Sequence, residues 1–272
     1  MRTKMVAIVA AASVGLAACA RISTQQEAEM GMNYSQQINA QLPIIRDPEA
    51  NAYLNRLGDS LATMVDTQGR NWQFFLVDDD EVNAFAVPGG YIYVNRGLVA
   101  RSRTMSQLAG VIGHEIAHVT RRHSVSQMEK QQGIGIGATL ACVWQPQFCR
   151  MGGGDLLNLG AGAVLMKFSR DAEREADQFG LQYIANAGID PNGMPEMFEI
   201  LLAERRARGG EGGGGFLASH PMEEERIQNT RRMIAELPPA ARSGVRDSEA
   251  FQRFKARLAS LPRVPRPAGR AR

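Results

Sequence analysis

From Ser23 to about Met64 apolar residues recur at helical spacing among polar ones: Tyr34, Ile38 and Leu42, then Tyr53, Leu54, Leu57 and Leu61 beyond Pro48. That spacing predicts two helices, each with one apolar face. The pattern then changes. Trp72 to Val77 is a compact aromatic and aliphatic run closed by Asp78-Asp79-Asp80, and Val82 to Val87 and Tyr91 to Val94 flank Pro88-Gly89-Gly90. These runs predict a small sheet with a pair of strands around a turn. Helical spacing returns over 104–123, where Leu108, Ile112, Ile116 and Val119 form an apolar stripe.

Beyond it the pattern is broken by glycines at 133, 135, 137, 152, 153, 154, 160 and 162. Arg150, Asp155 and Asn158 interrupt any apolar span there, so a mobile or partly buried flap is expected rather than a membrane hairpin. A helix from about Asp171 to Ala187 is predicted next, begun by Ser169 or Asp171 and stopped by Gly188. Another runs from Gly193 to Arg208, followed by the glycine loop 209–215. Two short helices separated by Pro238-Pro239 occupy Glu223 to Leu261. The expected fold is therefore α+β, mostly helical with one small sheet.

With 44% hydrophobic and 22% charged residues in 272, the chain is long and apolar enough for one main core. Its net charge of +3 is no sign of a nucleic-acid partner. Arg2, Lys4 and the four arginines 263, 266, 270 and 272 account for +6, which leaves −3 for residues 5–262. A solvated tail explains the terminal arginines, and no basic groove is left to bind nucleic acid.

Residues 1–18 have a charged start, a short uncharged apolar run from Met5 to Leu16 and small residues before Cys19. A membrane helix needs about 20 apolar residues, so the segment reads as an export signal. Leu16-Ala17-Ala18-Cys19 resembles a lipoprotein processing site, which would leave Cys19 acylated as the first mature residue. Ala20 in place of Asp favours, by resemblance to the bacterial sorting rule, the periplasmic face of the outer membrane. In that oxidising compartment Cys142 and Cys149 are expected to pair as a disulfide, with two buried thiols as the alternative. The expected organisation is a signal over 1–18, a main domain over 19–240, and a C-terminal helix with a basic tail over 241–272.

The chemistry is concentrated at His114-Glu115-Ile116-Ala117-His118. Residues four apart on a helix lie about 40° apart around its axis and one turn apart along it, so both imidazoles can reach one metal ion. Glu115 beside them can take a proton from a metal-bound water and return it to a leaving amine. A catalytic site needs a third protein ligand. His123, five residues past His118, would point about 140° away on a continuous helix. Glu173 is the better candidate, with Asp177 on the same face able to orient a ligand imidazole. Spacing alone ranks Glu173 little above Glu175.

His114-Glu115-x-x-His118 followed by Glu173-x-x-Ala176-Asp177 resembles the gluzincin metallopeptidases of the HtpX and CAAX-prenyl-protease type, in particular their periplasmic lipoprotein members. The resemblance extends over Asn83 to Asn95, His118 to His123, and Ser219-His220-Pro221 with Arg226, and covers about residues 25–235. It implies a zincin-like fold and one zinc ion held by His114, His118 and Glu173, with Glu115 as base and Asp177 and Arg226 supporting the ligands. It implies that His220 either stabilises the oxyanion or fills the open coordination position in a latent state. Asn83, Ala84 and Phe85 would edge a cleft to which an extended substrate adds as a strand. The implied function is an endopeptidase acting on misfolded or stalled cell-envelope proteins. The alternative is a chaperone-like lipoprotein that binds unfolded chains around a latent or structural zinc.

Overall fold

The computed structural model describes residues 21–134, 167–207, 216–221 and 224–265. The export signal, Cys19, the Cys142 and Cys149 pair, and most of the expected glycine flap lie outside them. Among the described residues no helix is long and apolar enough to cross a membrane.

Two helices, α1 (Thr24–Gln41) and α2 (Pro48–Ala62), open the fold. Both begin where the sequence supplies acceptors for otherwise unpaired helix N–H groups. Ser23 and Gln26 form a reciprocal capping box on α1, and Asp47 caps α2 with Pro48 in its first turn. Three strands follow: β1 (Gln73–Val77), β2 (Ala84–Val87) and β3 (Tyr91–Asn95). β2 and β3 pair antiparallel, with Phe85 opposite Tyr93, across the Pro88-Gly89-Gly90 turn. Gly89 and Gly90 have φ of 85° and 104°, values that glycine adopts without a Cβ clash. β1 runs parallel to β3, giving the order β1-β3-β2, with β2 at an edge. All five residues of the central β3 are buried.

A short helix α3 (Arg96–Arg101), for which the sequence pattern gave no signal, leads into α4 (Met105–Thr120). The expected single stripe on α4 understates it: every residue from Ser106 to Val119 is buried. The helix lies between the sheet, α2 and two later helices, α6 (Arg170–Asn186) and α7 (Gly193–Ala207). The small residues of α4 admit backbone on several sides. A Cβ on Gly110 would stand 2.7 Å from the Cα of Met194, and one on Gly180 of α6 would stand 2.8 Å from the backbone N of His114. The α4 to α6 crossing is thus tight enough to bring the first turns of α6 against the histidines.

The continuous helix expected over 104–123 is corrected. α4 ends at Thr120, Arg122 takes a left-handed φ of 56°, and a new helix, α5 (His123–Ile134), begins at His123. A left-handed arginine is costly by itself. It is held by its side chain, which donates to Glu27 at 2.6 Å and to the carbonyl of Ile22.

After α8 (Phe216–Ser219) and α9 (Glu224–Glu236), a 3-10 turn at Pro239–Ala241 leads to α10 (Glu249–Ser260). Phe251, Phe254 and Leu258 of α10 enter the same core as α2 and α4, with Phe254 stacked on Tyr53. Arg263, counted from sequence with the solvated tail, is docked. Its guanidinium bonds Asp78 and Asp80.

Candidate metal centre

Four buried side chains from two helices and the turn after α8 converge on one point. His114 and His118 come from α4 and Glu173 from the first turn of α6, where Ser169 caps the helix. His220 follows α8, its N–H bonded to the Phe216 carbonyl. Their ligand atoms all lie within 4.8 Å of one another. His114 Nε2 stands 3.0 Å from His118 Nε2 and 3.2 Å from His220 Nδ1. Glu173 Oε1 stands 3.0 Å from His220 Nδ1 and 3.4 Å from His118 Nε2. Among the described residues this group could hold a metal ion.

The second ring nitrogen of each α4 histidine shows whether the group suits a cation. His114 Nδ1 lies 2.9 Å from Asp177 Oδ1; the pair is off the line of a good hydrogen bond, but a bare ring lone pair that close to a carboxylate oxygen would repel it, so this nitrogen carries the proton. His118 Nδ1 lies 2.9 Å from His123 Nδ1, and His123 Nε2 lies 3.0 Å from Glu175 Oε2. Glu175 can only accept, so His123 donates from Nε2 and accepts at Nδ1, which places the His118 proton on Nδ1. The neutral rings of His114 and His118 therefore turn two bare Nε2 lone pairs toward each other and toward a carboxylate. Such a donor set is stable only around positive charge, and it fits a divalent metal.

The electrostatics agree. Burial works against a charged Glu173, yet His220, Arg226 and bonds to both α4 histidines hold its carboxyl well below the usual range. Arg226 NH1 lies 2.6 Å from Glu173 Oε2, while its Nε and NH2 bond the two oxygens of Asp177 at 2.8 and 2.6 Å. Burial pushes His118 well below its ordinary value. It also opposes charge on His114, but bonds to Asp177 and Glu173 outweigh it and raise that group to about 9 in the metal-free protein.

A proton on His114 Nε2 then stands where the metal would. Metal uptake at pH 7 is expected to release about one proton per ion from this ring, and affinity to rise with pH until about 9, where His114 no longer holds that proton. Calorimetry in buffers of different ionisation enthalpy counts the protons; a count of zero at pH 7 would contradict this account.

Glu115 is buried on the same helix and accepts from the backbone N–H of Ala86 in the edge strand β2, while burial raises its carboxyl above the ordinary range. Its Oε1 lies 3.3 Å from His220 Nε2, too poorly aligned to count as a hydrogen bond. Ala84 is buried and Phe85 half-buried, with Phe85 stacked on Tyr93. Among the described residues the buried side-chain oxygen of Asn83 has no hydrogen-bond partner.

The structure thus brings together His114, Glu115, His118, Glu173, Asp177, His220 and Arg226, and sets Ala84 and Phe85 on the strand that touches Glu115, with Asn83 just before it. Sequence reasoning missed two aromatic walls. Phe168 stacks on His118 at 4.0 Å between centroids, and Phe216 stacks on His220 at 4.3 Å. An isolated phenylalanine carries no pattern that would have singled it out. Glu175, ranked close to Glu173 by spacing, points instead to His123 and Arg121.

The sequence is similar to those of known proteins. Residues 48–234 match peptidase family M48. The chain is 35% identical over 259 residues to the beta-barrel assembly-enhancing protease of Escherichia coli (strain K12), an alignment covering 91% of this chain and 51% of that protein. It is 33% identical over 187 residues to the mitochondrial metalloendopeptidase OMA1 of Arabidopsis thaliana, covering 65% and 36%. It is 30% identical over 187 residues to the metalloprotease YcaL of Escherichia coli (strain K12), covering 67% and 69%. The chain spans about half the length of the beta-barrel assembly-enhancing proteases it matches.

Proposed function

We propose, from the premise that the chain belongs to peptidase family M48, that it is a zinc-dependent endopeptidase of cell-envelope proteins. The observation that carries this reading is the buried group of His114, His118, Glu173 and His220 with Glu115 beside it. A site that only stiffens a fold needs ligands; it does not need a buried carboxylate alongside them.

In this reading His114, His118 and Glu173 hold the zinc. When bound, zinc supplies Lewis acidity that polarises a carbonyl and acidifies water. Glu115 takes the proton of the attacking water on its carboxylate and delivers it to the leaving nitrogen. Its raised pKa suits it to both halves of that transfer. His220, with Nε2 turned toward Glu115, is placed to donate to the developing oxyanion. Asp177 and Arg226 keep the ligands aligned and charged. An extended substrate lies along the β2 edge, where main-chain pairing favours unfolded chains over any particular sequence.

The envelope assignment is supported by Leu16-Ala17-Ala18-Cys19, which would anchor the mature chain through a lipid on Cys19, and by relatives named for beta-barrel assembly. Misfolded or stalled envelope proteins are the substrates that suit an edge strand and that compartment.

One observation favours a second reading. His220 Nδ1 sits inside the ligand group, and four protein ligands around one ion make the closed set of a structural zinc. A latent enzyme or a holder of unfolded chains would look like this. The deciding experiment measures zinc content of the purified chain and its cleavage of one protein offered folded and unfolded, with and without a chelator. About one zinc per chain and chelator-sensitive cleavage of the unfolded form are expected. One zinc and no cleavage would select the latent reading, and no metal would end both.

A further inference from the structure

The break in the active helix at Arg122 turns His123 back toward the site. On a continuous helix its ring would point elsewhere; as the first residue of α5 it is buried, with Nδ1 2.9 Å from His118 Nδ1. On its far side Nε2 meets Glu175 Oε2 at 3.0 Å, and Glu175 is held in turn by Arg121 at 2.7 Å. Arg122 is pinned by Glu27 and the Ile22 carbonyl, so the backbone that presents His123 is itself fixed.

We infer that His123 is a positioning residue for the metal site: Glu175 fixes the His123 tautomer, and His123 fixes that of His118, so that Nε2 of His118 faces the metal as a lone pair. The inference rests on reading His114, His118 and Glu173 as the ligands. The two α4 histidines are then oriented by different devices. His114 is backed by a carboxylate directly, at 2.9 Å from Asp177, whereas His118 is backed by an imidazole that relays the carboxylate of Glu175. Without an acceptor at Nδ1 the His118 ring is free to carry its proton on Nε2 or to rotate, and either change removes a ligand.

Charge on the relay is set from every side. His123 faces His118 and Glu175, with Phe168 across its ring at 6.3 Å. Arg121 reaches Glu175, not the ring. The relay works by hydrogen-bond direction at fixed pH and needs no change of protonation.

The test is zinc affinity, measured by competition with a chromophoric chelator at one pH for the wild-type chain, His123→Leu, His123→Asn and Glu175→Leu. His123→Leu removes the acceptor and is expected to weaken zinc about 10-fold to 100-fold, the range for losing a partner of a ligand imidazole. The side-chain oxygen of Asn can occupy the place of Nδ1, so His123→Asn is expected to recover most of that loss. Glu175 is 37% exposed at its side chain, so Glu175→Leu folds readily, and a loss of severalfold is expected from it. Should His123→Leu fail to fold, Glu175→Leu decides.

Unchanged affinity in His123→Leu or, in that event, in Glu175→Leu would overturn the inference. So would equal losses in His123→Leu and His123→Asn, which would mean that packing and not the acceptor matters. A wild-type chain without zinc affinity would instead bring down the ligand reading beneath it.

Discussion

Glu115→Gln is expected to keep one zinc ion per chain and to lose peptidase activity by roughly 10³-fold to 10⁴-fold, the upper range for a side chain that moves a proton in the transition state. The two properties separate because Glu115 is not among the atoms that converge on the metal. Its Oε1 faces His220 Nε2 at 3.3 Å, while the ligand atoms of His114, His118 and Glu173 face one another. Glutamine keeps the shape and can still accept from the Ala86 N–H that Glu115 uses. It cannot take up a proton. A loss of this size corresponds to about 4 to 5 kcal/mol of transition-state stabilisation, which exceeds what any single binding contact on the β2 edge would supply. Metal analysis and cleavage of an unfolded protein, run on both chains, check it. Activity within tenfold of wild type, with zinc present, would remove Glu115 from the role of base.

The ligand helix was legible because its chemistry is periodic. A spacing of four from His114 to His118 puts two imidazoles on one face, and the same spacing puts Glu173 and Asp177 on one face. The hairpin was legible because Pro88-Gly89-Gly90 separates two apolar runs and only glycine takes the φ found at 89 and 90 without strain. Where a residue's role depends on a break in periodicity, local pattern failed. Arg121-Arg122 has good helix-forming residues, so the sequence predicts that α4 continues and that His123 points away. The break is made by partners about 95 and 100 residues distant in sequence, Glu27 and Ile22. Tertiary contact overrode propensity there. Choosing Glu173 over Glu175 likewise depended on resemblance, since both stand in the opening turns of α6. The docking of Arg263 on Asp78 and Asp80 depends on acids some 185 residues away.

Arg226→Met carries the largest expected cost to the fold itself. Arg226 is buried between two carboxylates, 2.6 Å from Glu173 and bidentate to Asp177, and its NH1 also donates to the Pro221 carbonyl at 3.1 Å, next to His220. Its guanidinium lies 4.7 Å over the ring of Phe198. Methionine keeps the apolar stem and removes the guanidinium, leaving the two buried carboxylates with His114, 2.9 Å from Asp177 and 3.5 Å from Glu173, as the cation they share. Breaking a buried ion pair from one side costs about 3 to 5 kcal/mol, and that loss is expected for the metal-free chain at pH 7 in urea unfolding with a chelator present.

The pH dependence follows from the carboxylates. In the wild-type chain Glu173 and Asp177 have folded pKa values below their ordinary ones despite burial. Each therefore contributes stability that is present above its unfolded value and is lost as pH falls through the folded value. The substitution removes the leading favourable partner of Asp177 and one of those of Glu173, so the gap between wild type and variant is expected to be widest near neutral pH and to narrow in acid. Zinc supplies the missing positive charge to Glu173 but not to Asp177, so added zinc is expected to recover only part of the gap at pH 7. A loss below 1 kcal/mol at pH 7 in the chelator would mean that Arg226 does not neutralise this pair.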